Sequence, residues 1–143
     1  MNLYMDTSAL VKRYINEENT DEVVDWMNEA TLLGTALVTR PELVATLTRA
    51  VRGNRLPARE ASEALNEFRT DWPDFQHVNI DDALIARADF LAATHALRGY
   101  DAVHLACALT WGELLGEPVI VSTFDKELLQ AAKKLGLETL PKE

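Results

Sequence analysis

Short apolar runs rich in β-compatible residues alternate with helical stretches from one end of the chain to the other. Leu3-Tyr4-Met5 reads as a buried strand and Leu33 to Val38 as a second. Phe75 to Ile80 is a third, Pro118 to Val121 (PVIV) a fourth, and Leu137 to Leu140 a short edge strand. Apolar spacing and capping residues predict the helices between them. These run from Thr7 to Tyr14, Asp21 to Ala30 behind Thr20, Pro41 to Val51 and Pro57 to Arg69. Three more run from Asp81 to Leu97, Asp101 to Leu109 and Asp125 to Leu135. Gly53-Asn54 breaks the third helix, Gly99 stops the fifth and Gly136 ends the last. Strands that alternate with helices form a mostly parallel sheet with right-handed crossovers. With no internal repeat, low-complexity tract or linker, residues 1–143 are expected to form one α/β domain. A chain of 143 residues can bury one core unaided, and its only cysteine, Cys107, permits no intrachain disulfide.

Charge and motifs narrow the chemistry. The formal net charge of −9 argues against a surface that grips nucleic acid everywhere. The distribution is uneven, however: Arg40, Arg49, Arg52, Arg55 and Arg59 face only Glu42 between Arg40 and Arg59. Such a segment can track phosphates near the site; the alternatives are a solvated surface or a docking face for an acidic partner. No glycine-rich phosphate loop is present, which disfavours P-loop chemistry. A phosphatase with Asp after its first strand would want a second acid two residues on, where Ser8 stands. His77, His95 and His104 have no zinc spacing, and one cysteine does not supply it. The opening MNLYMDTSAL has no basic start and its apolar run is broken by Asp6, so it does not read as a signal peptide. No stretch approaches the roughly 18 apolar residues of a membrane span. The expected location is the cytoplasm, consistent with a lone cysteine.

In a parallel sheet, ligands bind beyond the carboxyl ends of the strands. Asp6 follows the first strand directly and Asp125 lies just past PVIV. Glu42 lies at the start of the helix after the second strand, and Asp101 opens the helix after Gly99-Tyr100. Capping explains each of these acids singly. Thr39-x-x-Glu42 fits a capping box, Ser122-x-x-Asp125 resembles one, and Asp81 and Asp82 are further acidic helix starts. A single site for a hard divalent cation explains the four together, because gathered carboxylates repel one another unless neutralised.

Three stretches resemble the PIN-domain family, in particular its VapC toxin branch from prokaryotic toxin–antitoxin pairs. MDTSALVKRY resembles the family's opening strand, Asp and small hydroxyl residues. RGYDAVHLACAL resembles its central Asp-Ala-x-His-Leu-Ala helix start, and PVIVSTFDKELLQAA its late strand with Thr/Ser-x-Asp. Glu42, in TRPELVATLTRA, falls where the family carries an acid on a helix. The ordered set spans nearly the whole chain. The resemblance implies a three-layer sandwich, a mostly parallel five-stranded sheet flanked by helices. It implies Asp6, Glu42, Asp101 and Asp125 as catalytic, metal-site acids, with Ser8 (or Thr7) and Thr123 as supporting hydroxyls. It further implies Mg²⁺- or Mn²⁺-dependent endoribonuclease activity on RNA, a small VapB-like antitoxin partner and a homodimer. The alternative is a catalytically idle scaffold of the same fold that binds RNA or protein. A DNA nuclease of related fold would carry more acids and loop insertions.

His104 shares a helical face with Asp101 but sits in an apolar run, so it is expected to be a hydrogen-bonded core histidine. Trp26, Trp72 and Trp111 are expected as core or interface anchors.

Overall fold

The computed structural model describes residues 1–143. Five strands, β1 (Asn2–Met5), β2 (Leu32–Ala36), β3 (Gln76–Val78), β4 (Val119–Ser122) and β5 (Glu138–Leu140), form one sheet in the order β3-β2-β1-β4-β5. Every pairing is parallel. The helices are α1 (Thr7–Leu10), α2 (Thr20–Glu29), α3 (Thr39–Arg52), α4 (Ala58–Asp71), α5 (Asp82–His95), α6 (Gly99–Leu115) and α7 (Lys126–Lys134). Short 3-10 turns, Val11–Arg13 and Trp72–Asp74, extend α1 and α4.

The two-residue alternation of the central strand builds the layers. Tyr4 of β1 enters one core with Leu84, Leu91, Leu105, Trp111 and Leu128, from α5, α6 and α7. Leu3 and Met5 enter the other with Leu10, Val23, Leu43, Leu47 and Phe68, from α1 to α4. Both faces of β1 are thereby buried, as a strand in the middle of a parallel sheet requires. Gly34 of β2 lets α6 approach closely. A Cβ there would lie 2.8 Å from the Trp111 ring. Trp111 is anchored by its Nε1–H donating to Gln76 Oε1 at 2.9 Å.

Several helix boundaries differ from expectation. Asn19, with φ 69°, precedes α2, and Thr20 is its first residue rather than its cap. The Thr20 hydroxyl instead accepts from the Glu17 amide and donates to the Ile15 carbonyl, closing the preceding turn. Ala96, not Gly99, ends α5 in the left-handed region (φ 53°), so that Leu97 turns into the core. Gly99 opens α6, which continues past Leu109 to Leu115 because Trp111 has core to fill. No helix is long and apolar enough to cross a membrane.

The chain winds outward from β1 through β2 to β3, then returns to β4 on the other side of β1. The winding direction therefore reverses between β1 and β4. A crevice opens at the carboxyl ends of strands at such a reversal.

Candidate active site

Asp6 leaves β1 in an extended conformation and caps α1. Its Oδ1 accepts from the Ala9 amide at 3.0 Å and the Ser8 hydroxyl at 2.7 Å, and its Oδ2 from the Thr123 hydroxyl at 2.5 Å. The Ser8 hydroxyl in turn accepts from the Phe124 amide at 2.9 Å, and the Thr123 hydroxyl from the Asp125 amide at 3.0 Å. These bonds tie the loop after β4 to the loop after β1. Asp6 is 3% exposed. Burial pushes its carboxyl above the ordinary range, and the nearby His104, the two hydroxyls and the Ala9 amide only partly offset that.

Glu42 stands in the first turn of α3, but no capping box forms. Thr39 lies inside the helix, and its hydroxyl pairs with that of Thr35 at 2.7 Å. Glu42 Oε1 instead accepts from the Thr7 hydroxyl at 2.8 Å and lies 2.8 Å from His104 Nε2. His104 Nδ1 is 2.8 Å from the Tyr4 hydroxyl. With Tyr4 O–H donating to Nδ1, the imidazole carries its proton on Nε2 and donates to Glu42. Burial pushes the Glu42 carboxyl up, but His104 and Thr7 outweigh it and hold the group below its ordinary value. His104 is thus a buried, hydrogen-bonded histidine that joins the core to the site.

Asp101 lies in the first turn of α6, and Asp125 caps α7 by accepting from the Leu128 amide at 2.9 Å. Arg98 bridges them. Its Nε donates to Asp101 Oδ2 at 3.0 Å, and its Nη2 donates to Asp125 Oδ2. Burial raises the Asp101 carboxyl; the Arg98 hydrogen bond opposes this, the Asp125 charge adds to it, and the net direction is upward. Arg98 was not among the residues singled out in the sequence. Its three-residue spacing from Asp101 is legible there, but its reach to Asp125 depends on the fold.

One cleft of about 660 Å³ contains all of this. Asp6, Glu42, Asp101 and Asp125 line it, with Ser8 and Thr7 between them and Arg49 at its edge. Of the basic segment, Arg49 alone lines the cleft; Arg59 is spent on an exposed pair with Glu63. His77 stacks on Trp72 with ring centroids 4.0 Å apart, and neither His77 nor His95 lines the cleft. Trp72 and Trp111 are core residues, while half-buried Trp26 stacks on Phe124.

At Asp6 and Asp125 capping does not exclude a site role, since each caps through Oδ1 and a carboxylate keeps further lone pairs on both oxygens. A hard divalent cation fits the donor set, which consists of carboxylates and hydroxyls. No three of the acidic, histidine or cysteine side chains stand close enough to form a compact cage. Two buried or half-buried carboxylates held above their ordinary range also favour a cation in the same cleft.

Known proteins share this arrangement of elements. The crystal structure of PAE2754 from Pyrobaculum aerophilum superposes with a TM-score of 0.67 at 21% identity, covering 98% of this chain and 90% of that one. FitAcB from Neisseria gonorrhoeae gives 0.66 at 16% identity, covering 98% and 97%. At these identities the likeness is one of fold. In sequence, the chain is similar to Ribonuclease VapC35 of Mycobacterium tuberculosis, 35% identical over 138 residues, covering 94% of this chain and 93% of the relative. It is also similar to Ribonuclease VapC49 of the same organism, 30% identical over 140 residues, covering 97% and 94%. The family model described as the PIN domain matches residues 3–134, from the strand that presents Asp6 to the helix that Asp125 caps, and the chain belongs to that family.

Proposed function

We propose that the chain is a divalent-metal-dependent endoribonuclease, the toxin of a toxin–antitoxin pair. The observation that carries this reading is the gathering of Asp6, Glu42, Asp101 and Asp125 in one cleft at the β1–β4 reversal. The similarity to relatives named as VapC ribonucleases supports RNA as the substrate. A bound Mg²⁺ or Mn²⁺ would supply an activated water and relieve charge on the leaving oxygen.

The chain's own residues have distinct tasks. Asp6 and Asp101 are assigned to hold the ion, with Asp125 completing the set. Ser8 and Thr123 fix the Asp6 carboxylate, so that it need not reorganise when charge arrives. Glu42 is held by His104 and Thr7 through Oε1, which leaves Oε2 to orient the attacking water. His104 and Thr7 favour its ionised form, whose free oxygen can accept a hydrogen bond from that water. Arg49, at the cleft's edge, is placed to meet a phosphate.

The proposed partner is a small antitoxin, and solved relatives include a toxin–antitoxin complex from Klebsiella pneumoniae. An apolar groove beside the cleft, lined by Ile85, Ala88, Ala92, Tyr100 and Val103, supports such docking. Ile85 and Tyr100 there are exposed. A homodimer working in the cytoplasm completes the proposal, on family resemblance.

The test is cleavage of a labelled RNA pool by the purified chain with Mg²⁺, Mn²⁺ or EDTA, beside Asp6→Asn and Asp101→Asn. Discrete metal-dependent fragments that vanish in both variants are expected. A folded, metal-supplied protein that cuts nothing in pools of tRNA, rRNA and mRNA would favour an idle binding scaffold instead.

A further inference from the structure

The cleft already contains a cation of the chain's own. Arg98 lies against Asp101 and Asp125, two of the four acids that line the cleft. The other two are held differently. Asp6 has hydroxyl and amide donors, and Glu42 has a hydroxyl and an imidazole. Those hydroxyl, amide and ring N–H donors leave lone pairs open on the carboxylates and can stay when an ion arrives. The Arg98 guanidinium differs, because its positive charge sits on Oδ2 of both acids and repels a divalent cation drawn to the same carboxylates.

Arg98 is also built to move. It precedes the first turn of α6 in an extended conformation and makes no capping bond with its side chain. Its side chain is 72% exposed, whereas those of Asp101 and Asp125 are 13% and 19% exposed. The two acids are therefore fixed in the wall and the arginine reaches to them from solvent. Swinging away breaks no core contact. It lines both the main cleft and a smaller pocket formed with Asp125, Lys126 and Glu127, so a released guanidinium stays at the rim. A planar fork at that rim matches a phosphodiester.

We propose that Arg98 is a displaceable occupant of the ion site, which neutralises Asp101 and Asp125 until a divalent cation takes them and then turns to the RNA phosphate. This rests on the metal-dependent nuclease reading above. Without Arg98 the two acids would repel each other and attract the ion more strongly. With Arg98 absent at saturating metal, the substrate would lose a phosphate contact. Arg98 is thus both a competitor of the ion and a contact for the substrate.

The experiment is Mn²⁺ titration by calorimetry at fixed ionic strength, on the wild-type chain, Arg98→Ala, Arg98→Lys and Asp101→Asn. Removing a two-bond guanidinium competitor should tighten Mn²⁺ binding roughly tenfold in Arg98→Ala, with Arg98→Lys between it and wild type. Cleavage of the same RNA is then followed at Mn²⁺ concentrations saturating each variant. Arg98→Ala should raise KM by about tenfold, the loss of one charge-assisted phosphate contact. Arg98→Lys keeps the charge and the stem, so it carries the comparison if Arg98→Ala does not melt cooperatively. Mn²⁺ affinity unchanged or weaker in Arg98→Ala and Arg98→Lys overturns the proposal. Tighter Mn²⁺ with an unchanged KM overturns its phosphate half. Mn²⁺ binding in none of the chains, Arg98→Ala included, overturns the metal reading itself. Binding that survives in Asp101→Asn would move the ion elsewhere, and overturns both.

Discussion

His104 Nε2 lies 2.8 Å from Glu42 Oε1, linking α6 to α3 across 62 residues of sequence. His104 is 2% exposed, and its ring is held from behind by the Tyr4 hydroxyl. Tyr4 is itself fully buried, and burial pushes its phenol well above the ordinary value, so it remains a donor. A line of hydrogen bonds thus runs from the centre of the sheet to the one acid assigned to the attacking water. Side chains in such a line set one another's orientation more firmly than any pair alone.

Replacing His104 should therefore act through Glu42. His104→Phe keeps a ring of similar size but leaves the Tyr4 hydroxyl and Glu42 each short of a partner. The loss of stability should be about 1–3 kcal/mol. Burial already pulls the Glu42 pKa upward, and His104 is the first of the groups opposing it. Without His104 the Glu42 pKa should rise, so the acid limb of the pH–rate profile for RNA cleavage moves to higher pH. A purely structural role would lower the melting temperature and leave the limb where it is.

Sequence reasoning reached the sheet because its central strands, β1 and β4, are almost wholly buried and read as apolar runs. It placed Asp6 and Asp125 correctly after β1 and β4 for the same reason. It could not tell capping from ligation, and at these two residues the observed capping leaves a ligand role open. At Glu42 the distinction was real: Thr39 offers a capping box on paper, yet the fold turns its hydroxyl to Thr35 and hands Glu42 to His104 and Thr7. Arg98 escaped because its meaning lies in a contact with Asp125, 27 residues away. Ala96 escaped because a left-handed alanine has no signature, whereas Gly99 nearby has one and does something else.

Gly34 should not tolerate a side chain. A Cβ would come within 2.8–2.9 Å of several Trp111 ring atoms. The ring cannot retreat freely, since its Nε1–H is bonded to Gln76 and its other face packs in the core. Gly34→Ala should destabilise by about 1–3 kcal/mol, the usual range for an overpacked core. For a chain of this size that is a fall of roughly 3–10 °C in Tm. An unchanged thermal midpoint would mean that α6 is less tightly seated on the sheet than the structure has it.

Cys107 should be chemically silent. It is fully buried in α6, and burial pushes its thiol up to about 12. The thiolate is the reactive form, so reaction with a thiol-specific disulfide reagent at pH 8 should be negligible in the folded chain. One equivalent should react once denaturant unfolds it. Rapid labelling of the native protein would show that α6 opens readily.

The buried acid Asp6 should make the metal-free protein less stable as pH rises. Its folded pKa is raised, chiefly by burial, so the folded chain binds more protons than the unfolded chain between the two values. Stability from this group is fully present below the unfolded carboxylate pKa and is lost as pH climbs through the raised folded value. Asp101 adds in the same direction, while Glu42, held low, acts in the opposite one. Comparison with Asp6→Asn isolates the first contribution. In EDTA, Asp6→Asn should melt above wild type at pH 7.5, with the gap closing toward pH 4. Mn²⁺ should raise the wild-type midpoint at pH 7.5, more than at pH 5, because the ion binds the ionised site and stabilises the folded state more the tighter it binds. Asp6→Asn should show little of that rise. If wild type and variant respond to Mn²⁺ alike, Asp6 does not hold the ion, and its burial serves only the helix it caps.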